Sequence, residues 1–333
     1  MYFWLGLSLS LAALLTLNAL ASLAAAALWR LLAERSLEWR AQDRSRAIFA
    51  LRVAPIAGAT LFVALLLLPS YLTNEPYQTN ESLSWLLMAL ALLSFIGLAL
   101  AVWRGLAAWQ ATRRLVNVWL RQAAPVALAG IEIPAYRLRH PFPVVAVVGI
   151  FRPRLFVAEQ LFTTLTPEEL DAALRHELGH LATRDNLKRT LLRACSDVLT
   201  IVPCGRALDR AWAESAECAA DEHAARRNAL TSLNLASALV KIARLAPAGT
   251  NAALPIGAYL LHAAEDAASL AYRVRQLTRL ATPDGVPAKP IFRFDLAVWT
   301  GLGGFLLLLI FAAWQTQVPA TIHFLLERVV AVS

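Results

Sequence analysis

Apolar and polar positions divide this chain into uncharged blocks and mixed ones. Residues 1–29, 53–74, 82–103 and 296–326 contain no Asp, Glu, Lys or Arg. A spanning helix needs about 20 apolar residues to cross about 30 Å of hydrocarbon. Each block is long enough, so the pattern predicts four transmembrane helices; buried helices of a soluble core rarely run this far uncharged. The first block lacks a basic lead-in and is too long for the apolar region of a cleaved signal, so it reads as an anchor that stays.

Between the third and fourth blocks the pattern turns mixed, over enough chain for one compact domain. Residues 106–124 read as a helix that continues the third span or lies along the membrane surface, stopped by Pro125. The segment AYRLRHPFPVVAVVGIFRPRLFVAEQL predicts two strands, 144–150 and 154–157, around a Phe-Arg-Pro turn, as a hairpin or sheet edge. Helical patterns follow. Thr166-Pro167-Glu168-Glu169 is a start signal, with Thr166 as N-cap, Pro167 in the first position and Glu169 closing a capping box. That helix runs through LDAALRHELGHLATR. Others are expected over 207–228, over 233–245 and within 258–280, before the linker ATPDGVPAKP. The expected organisation is three spans in 1–110, a soluble domain in 111–290, and a fourth span with a short tail in 291–333.

Composition agrees: 58% of residues are hydrophobic and 16% charged, against about 25% charged in a typical soluble domain. The distribution of Arg sets an orientation. Residues 30–46 hold Arg30, Arg35, Arg40, Arg44 and Arg46, whereas the connection PSYLTNEPYQTNES has no Lys or Arg. Positive loops stay inside, which puts the N-terminus outside and the mixed domain in the cytoplasm. The net charge of +8 follows from this topology and suits an anionic lipid surface; no nucleic-acid-binding motif accompanies it, and direct nucleic-acid binding is not expected. Cys195, Cys204 and Cys218 match neither a disulfide framework nor a zinc knuckle, and read as free thiols.

The chemistry sits on the capped helix, in His176-Glu177-Leu178-Gly179-His180. Positions i and i+4 share a helix face, so both imidazoles can reach one metal ion, Zn2+. Glu177 is offset toward the edge of that site, where it can take a proton from the attacking water and pass it to the leaving amine. The alternative is a surface helix with two unrelated His, but the chain has six His in all. A catalytic zinc keeps three protein ligands and one open position. Glu217 is the candidate third ligand, with Glu214 and Glu222 as rivals. Asp221, at i+4 from Glu217, is placed to accept a hydrogen bond from the far nitrogen of a ligating His. His223 is a surface His, a ligand or an oxyanion donor; Cys218 is structural; Asp185 and Asn186 cap the metal helix or support a ligand. The strand 145–150 is a candidate edge for binding an extended substrate through Val145, Val147 and Gly149.

At this point the chain resembles the BlaR/MecR-type membrane zinc metallopeptidases. The resemblance rests on the order of the spans, on HELGHLATRDN (residues 176–186) with the later E-x-x-x-D at Glu217 to Asp221, and on HPFPVVAVVGIFRPRLFV (residues 140–157). It implies a mainly α, four-span membrane protein carrying a cytoplasmic, zincin-like α+β metallopeptidase domain. It also implies signalling: an outside ligand activates the inside protease, and a transcriptional repressor is lost. The short tail departs from those sensors, leaving no room for a penicillin-binding sensor domain, so a separate sensor subunit or a cue felt by the spans is expected instead. Two other readings stand beside it. One is a quality-control protease, similar to the heat-shock and prenyl-protein-processing zinc proteases. The other is a receptor or scaffold with a purely structural zinc, in which Glu177 has no purpose.

Overall fold

The computed structural model describes residues 2–74, 84–195, 204–226, 228–245 and 267–282. The chain opens with helix α1 (Tyr2–Leu32). A 3-10 turn, Arg35–Glu38, leads to α2 (Ala41–Phe62), which passes through a π turn at Val63–Leu67 into α3 (Leu68–Asn74). The π turn lies just ahead of Pro69, whose missing N–H breaks the regular bonding pattern. Helix α4 (Trp85–Gln122) begins at the N-cap Ser84. Three helical stretches, Tyr2–Leu32, Ala41–Thr73 and Trp85–Gln122, are long and apolar enough to cross a membrane. The expected fourth span, its tail and all but the first two residues of the linker before it lie outside the described residues.

The helices overrun their uncharged blocks. The second starts at Ala41 although the charge-free stretch starts at Val53, because the polar groups of its N-terminal half have partners in the soluble domain. Arg52 Nε, for example, donates to Asp209 Oδ1 at 3.0 Å. Helix α4 is one piece from the third span to the domain, and its last turns carry Val116 and Trp119 into the domain core. It ends at Gln122, before Pro125, which instead belongs to the short strand β1 (Ala123–Pro125). Proline is tolerated there because β1 is at the sheet edge, where a missing N–H costs little.

The expected hairpin is half of a larger sheet. Strands β2 (Ala135–Leu138), β3 (Val145–Val148) and β4 (Arg154–Ala158) join β1 in the order β1-β2-β4-β3. β3 and β4 pair antiparallel from Val145 opposite Val157 to Val148 opposite Arg154, while β2 runs parallel to β4. At the hairpin turn Gly149 has φ of +111°, and a Cβ there would meet the Arg152 carbonyl at 2.7 Å; only glycine fits. β3 is an edge strand, yet all four of its residues are buried.

The short helix α5 (Leu161–Thr164) leads to α6 (Pro167–Ala182), whose capping box forms as expected: Thr166 Oγ1 accepts from Glu169 N, and Glu169 Oε2 from Thr166 N. The sequence pattern runs this helix on to Arg184. In the structure Arg184 adopts φ of +55°, and a separate helix, α7 (Asp185–Cys195), starts immediately after it. Among the described residues, helices α8 (Cys204–Ala225), α9 (Ala229–Leu245) and α10 (Ala267–Leu280) follow. The main core joins the sheet to α6, α9 and α10 through Phe156, Ala172, Leu239 and Leu277. A second cluster gathers Trp29 of α1, Ile48 of α2, Leu192 of α7, and Leu208 and Trp212 of α8. It welds the ends of two candidate spans to the domain.

Candidate metal centre

Helix α6 brings His176 and His180 onto one face, with ring centroids 4.8 Å apart. Helix α8 crosses that face at Gly179, where a Cβ would lie 3.0 Å from Ala220 Cα. This close crossing puts Glu217 over the two imidazoles. Its Oε2 is 3.5 Å from His176 Nε2, and its Oε1 is 3.5 Å from His180 Nε2. One donor atom from each of the three residues lies within 4.8 Å of the others, and all three residues are buried.

The donor set fits a zinc ion. Two ligands held at about 2.1 Å from one tetrahedral ion stand about 3.4 Å apart, close to both observed separations. The far nitrogens are also occupied in the right sense. His180 Nδ1 is hydrogen bonded to Asp185 Oδ2 at 2.8 Å, whereas His176 Nδ1 lies 2.8 Å from Asp221 Oδ1 in an ion-pair contact without hydrogen-bond geometry. A carboxylate only accepts, so each Nδ1 keeps its proton. The proton that can leave is on Nε2, and neither Nε2 has a hydrogen-bond partner of good geometry. Both imidazoles therefore offer Nε2 to the same point, His180 oriented by its bond to Asp185 and His176 with Asp221 beside its far nitrogen.

Burial and charge set the titration of these groups in the metal-free protein. Burial alone pulls His180 down, but Glu217 and Asp185 outweigh it and push it up to about 10. His176 is raised in the same way, by Asp221 and Glu217 against burial. Glu217 stays well below its ordinary value despite burial, held by His180, His176 and Arg273. Asp221 is lowered to about 2, chiefly because Arg273 outweighs its burial. Glu177 goes the other way: burial raises it, and the two imidazoles and the Val147 amide only partly oppose that.

Glu177 sits between the His pair and the edge strand. Its Oε2 accepts the Val147 N–H at 3.0 Å, while Oε1 is buried without a hydrogen-bond partner. One oxygen is thus anchored and the other is available for a proton, in a group whose affinity for protons is raised. That suits a general base.

The other candidates sort by position. Glu222 faces α2, where its Oε1 accepts the Ala41 N–H at 3.1 Å. Glu214 is exposed. His223 lies outside the cluster of possible ligands and packs at the Gly179 crossing. Cys218 is a free thiol pushed up to about 12 by burial, with Asp221 adding to it. Val145, Val147 and Gly149 do alternate onto the open side of β3, but that side is partly taken. Besides the Glu177 bond, Asn186 Nδ2 donates to the Val147 and Gly149 carbonyls at 2.9 and 3.2 Å. A substrate strand pairing at Val147 has to displace both groups, which narrows the expected docking edge.

Two arginines at the site carry no sequence signal. Arg273 of α10 is 1% exposed and grips Asp221 through Nε and Nη2, both at 2.8 Å. Arg189 of α7 donates from Nη2 to Glu217 Oε1 at 2.9 Å. Arg273 is 52 residues from its partner, a separation at which no periodicity operates.

A small mixed sheet lies beside a helix that presents two His and a Glu, with a carboxylate from a crossing helix, and three of these groups could hold one metal ion. Residues 110–252 match the family model of Peptidase family M48. The matched stretch contains the sheet, His176, Glu177, His180, Glu217 and Asp221, and it supports a metal-dependent protease. A search of the curated proteins finds no match for the chain.

Proposed function

We propose that this chain is a membrane-bound zinc metalloendopeptidase that cleaves a cytosolic or membrane protein in regulated proteolysis. The observation that carries the reading is the convergence of His176 Nε2, His180 Nε2 and Glu217 on one point, with Glu177 Oε1 beside it and without a partner. Nitrogen and carboxylate donors in a three-ligand set suit zinc with an open position. When bound, the ion acts as a Lewis acid on the scissile carbonyl and lowers the pKa of the attacking water. Asp221 and Asp185 hold the two imidazoles in the ligating orientation. Glu177 takes the proton of the water on Oε1 while the Val147 amide keeps the carboxylate aimed, and then passes that proton to the leaving amine. A structural zinc has no use for such a base.

The regulated character is supported by how the site is mounted. Helix α8, which carries Glu217, is docked on the ends of the first two candidate spans. Glu222 takes the first amide of α2, Arg226 Nη2 donates to Gln42 Oε1 at 3.1 Å, and Arg52 pairs with Asp209 at 3.0 Å. A shift of those spans reaches the metal ligand directly. The Arg pattern further argues for an inner bacterial membrane with the domain in the cytoplasm, where a transcriptional repressor is a reachable substrate and a separate sensor subunit a fitting partner.

The test pairs metal analysis with cleavage in membranes, for the unaltered protein and Glu177→Ala. One zinc in each, with cleavage only by the unaltered protein, is the expected result, and the cut protein identifies the pathway. Absence of zinc from both overturns the reading.

A further inference from the structure

We infer that Arg189 is a positioning residue for the third metal ligand, and that it is held in place by the packing at the ends of the membrane spans. The inference rests on the zinc-site reading above and adds a residue outside the H-E-x-x-H and E-x-x-x-D motifs.

Three contacts carry it. Arg189 Nη2 donates to Glu217 Oε1 at 2.9 Å, and this is the oxygen that stands 3.5 Å from His180 Nε2. The Arg189 guanidinium lies over the Trp212 ring, 5.9 Å from its centroid. Trp212 in turn is buried in the cluster that contains Trp29 of α1 and Ile48 of α2. The Arg189 side chain is only 11% exposed, and its Nε has no hydrogen-bond partner. The guanidinium is therefore placed by Glu217 at one end and by the face of Trp212 along its length.

The physical consequence concerns the orientation of Glu217. A glutamate on a helix has three rotatable bonds, and a site that uses it as a ligand gains from having its carboxylate held before the ion arrives. Arg273 reaches Oε2 at 3.4 Å from α10, while Arg189 holds Oε1 from α7. Arg189 is hydrogen bonded to one oxygen, and Arg273 stands at ion-pair distance from the other without a hydrogen bond to it. Arg273 is locked to Asp221 inside the domain. Arg189 alone of the pair rests on an aromatic ring shared with the spans. A change in packing around Trp29 and Ile48 moves the face on which Arg189 lies, and so loosens or tightens the third ligand.

The opposite sign is physically available, because a guanidinium near a divalent cation repels it and competes for the carboxylate. Its geometry argues for orientation. A hydrogen bond to one oxygen leaves that carboxylate another lone pair and a second oxygen for the ion.

The test measures zinc affinity of the full-length protein in detergent, by competition with a chelator of known affinity. Thermal stability is measured in parallel in excess chelator. Arg189→Ala is expected to weaken zinc binding by about 10–100-fold, the range seen for groups that orient a ligand, with little change in metal-free stability. Arg189→Lys, which keeps the charge and the stem but loses the fork, gives a smaller loss in the same direction and serves if the alanine variant does not fold. Trp212→Leu keeps apolar volume but removes the ring face. It is expected to weaken zinc binding in the unaltered background and to add nothing to Arg189→Ala. Equal affinity in Arg189→Ala overturns the inference, as does tighter binding, which marks Arg189 as a competitor of the metal. Additive losses for Arg189 and Trp212 overturn the link to the spans. If the unaltered protein binds no zinc, the zinc-site reading itself fails, which is a distinguishable result.

Discussion

The backbone N–H of Val147 donates to Glu177 Oε2 at 3.0 Å, tying the edge strand of the sheet to the residue we propose as the base. One bond thereby links the orientation of the base to the position of the strand.

Glu177→Gln separates chemistry from architecture. The amide oxygen still accepts the Val147 N–H, so the fold and zinc content stay as they are. The proton acceptor is gone, and cleavage is expected to fall by at least about 100-fold. Zinc analysis and a cleavage assay on the same preparation check this; retained cleavage removes Glu177 from the mechanism.

Asn186→Ala tests the strand side of the same contact. It leaves the Val147 and Gly149 carbonyls without the bonds now made at 2.9 and 3.2 Å. The expected loss is about 1–3 kcal/mol in stability, with reduced cleavage and unchanged zinc content. A variant as stable and as active as the parent shows that β3 is held by its pairing with β4 alone.

Gly179→Ala attacks the crossing that assembles the ligands. The added methyl meets backbone, Ala220 Cα at 3.0 Å, and His223 Cβ at 3.2 Å. Helices α6 and α8 must separate, at a cost of about 1–3 kcal/mol, and the 3.5 Å His–Glu217 spacings lengthen. Weaker zinc binding with a lower Tm is expected. Normal zinc affinity means that the crossing does not set the ligand spacing.

Glu169 supplies a pH dependence away from the metal. Burial pushes its carboxyl up, but bonds from Lys241 and Ser237, and then from the Thr166 amide, outweigh it and hold it below its ordinary value of 4.5. A depressed carboxylate stabilises the fold fully above the unfolded value and loses that contribution as pH falls through the folded one. Stability therefore drops below about pH 4.5. Lys241 is 37% exposed, so solvent trims the bond to about 1–2 kcal/mol. Glu169→Gln should lose that amount at neutral pH and flatten the acid limb of the stability curve, measured by urea unfolding.

The parts of the site legible in sequence were those set by local geometry. His176, Glu177 and His180 lie within one helical turn, and Glu217 and Asp221 within another, so period and spacing place each set on one face. The capping box was legible for the same reason. The helix break at Arg184 was not: a non-glycine residue at positive φ has no composition signal, and it is this break that swings Asp185 under His180. The sheet was half legible. The hairpin is local, whereas β1 and β2 are too short to show an alternation and gain their identity from pairing, β2 with β4 and β1 with β2.

By itself, the sequence determined the helical presentation of two imidazoles and a carboxylate, the apolar lengths of the candidate spans, and the Arg bias of their ends, because each depends on residues close along the chain. Tertiary structure alone decided that Glu217 meets those imidazoles, that Arg189 and Arg273 flank its two oxygens, and that the candidate spans pack against the helix that carries it. Those facts depend on how closely α6 can approach α8 at Gly179 and on which buried charges must neutralise one another. Both are properties of packed surfaces from distant parts of the chain, and no local pattern encodes them.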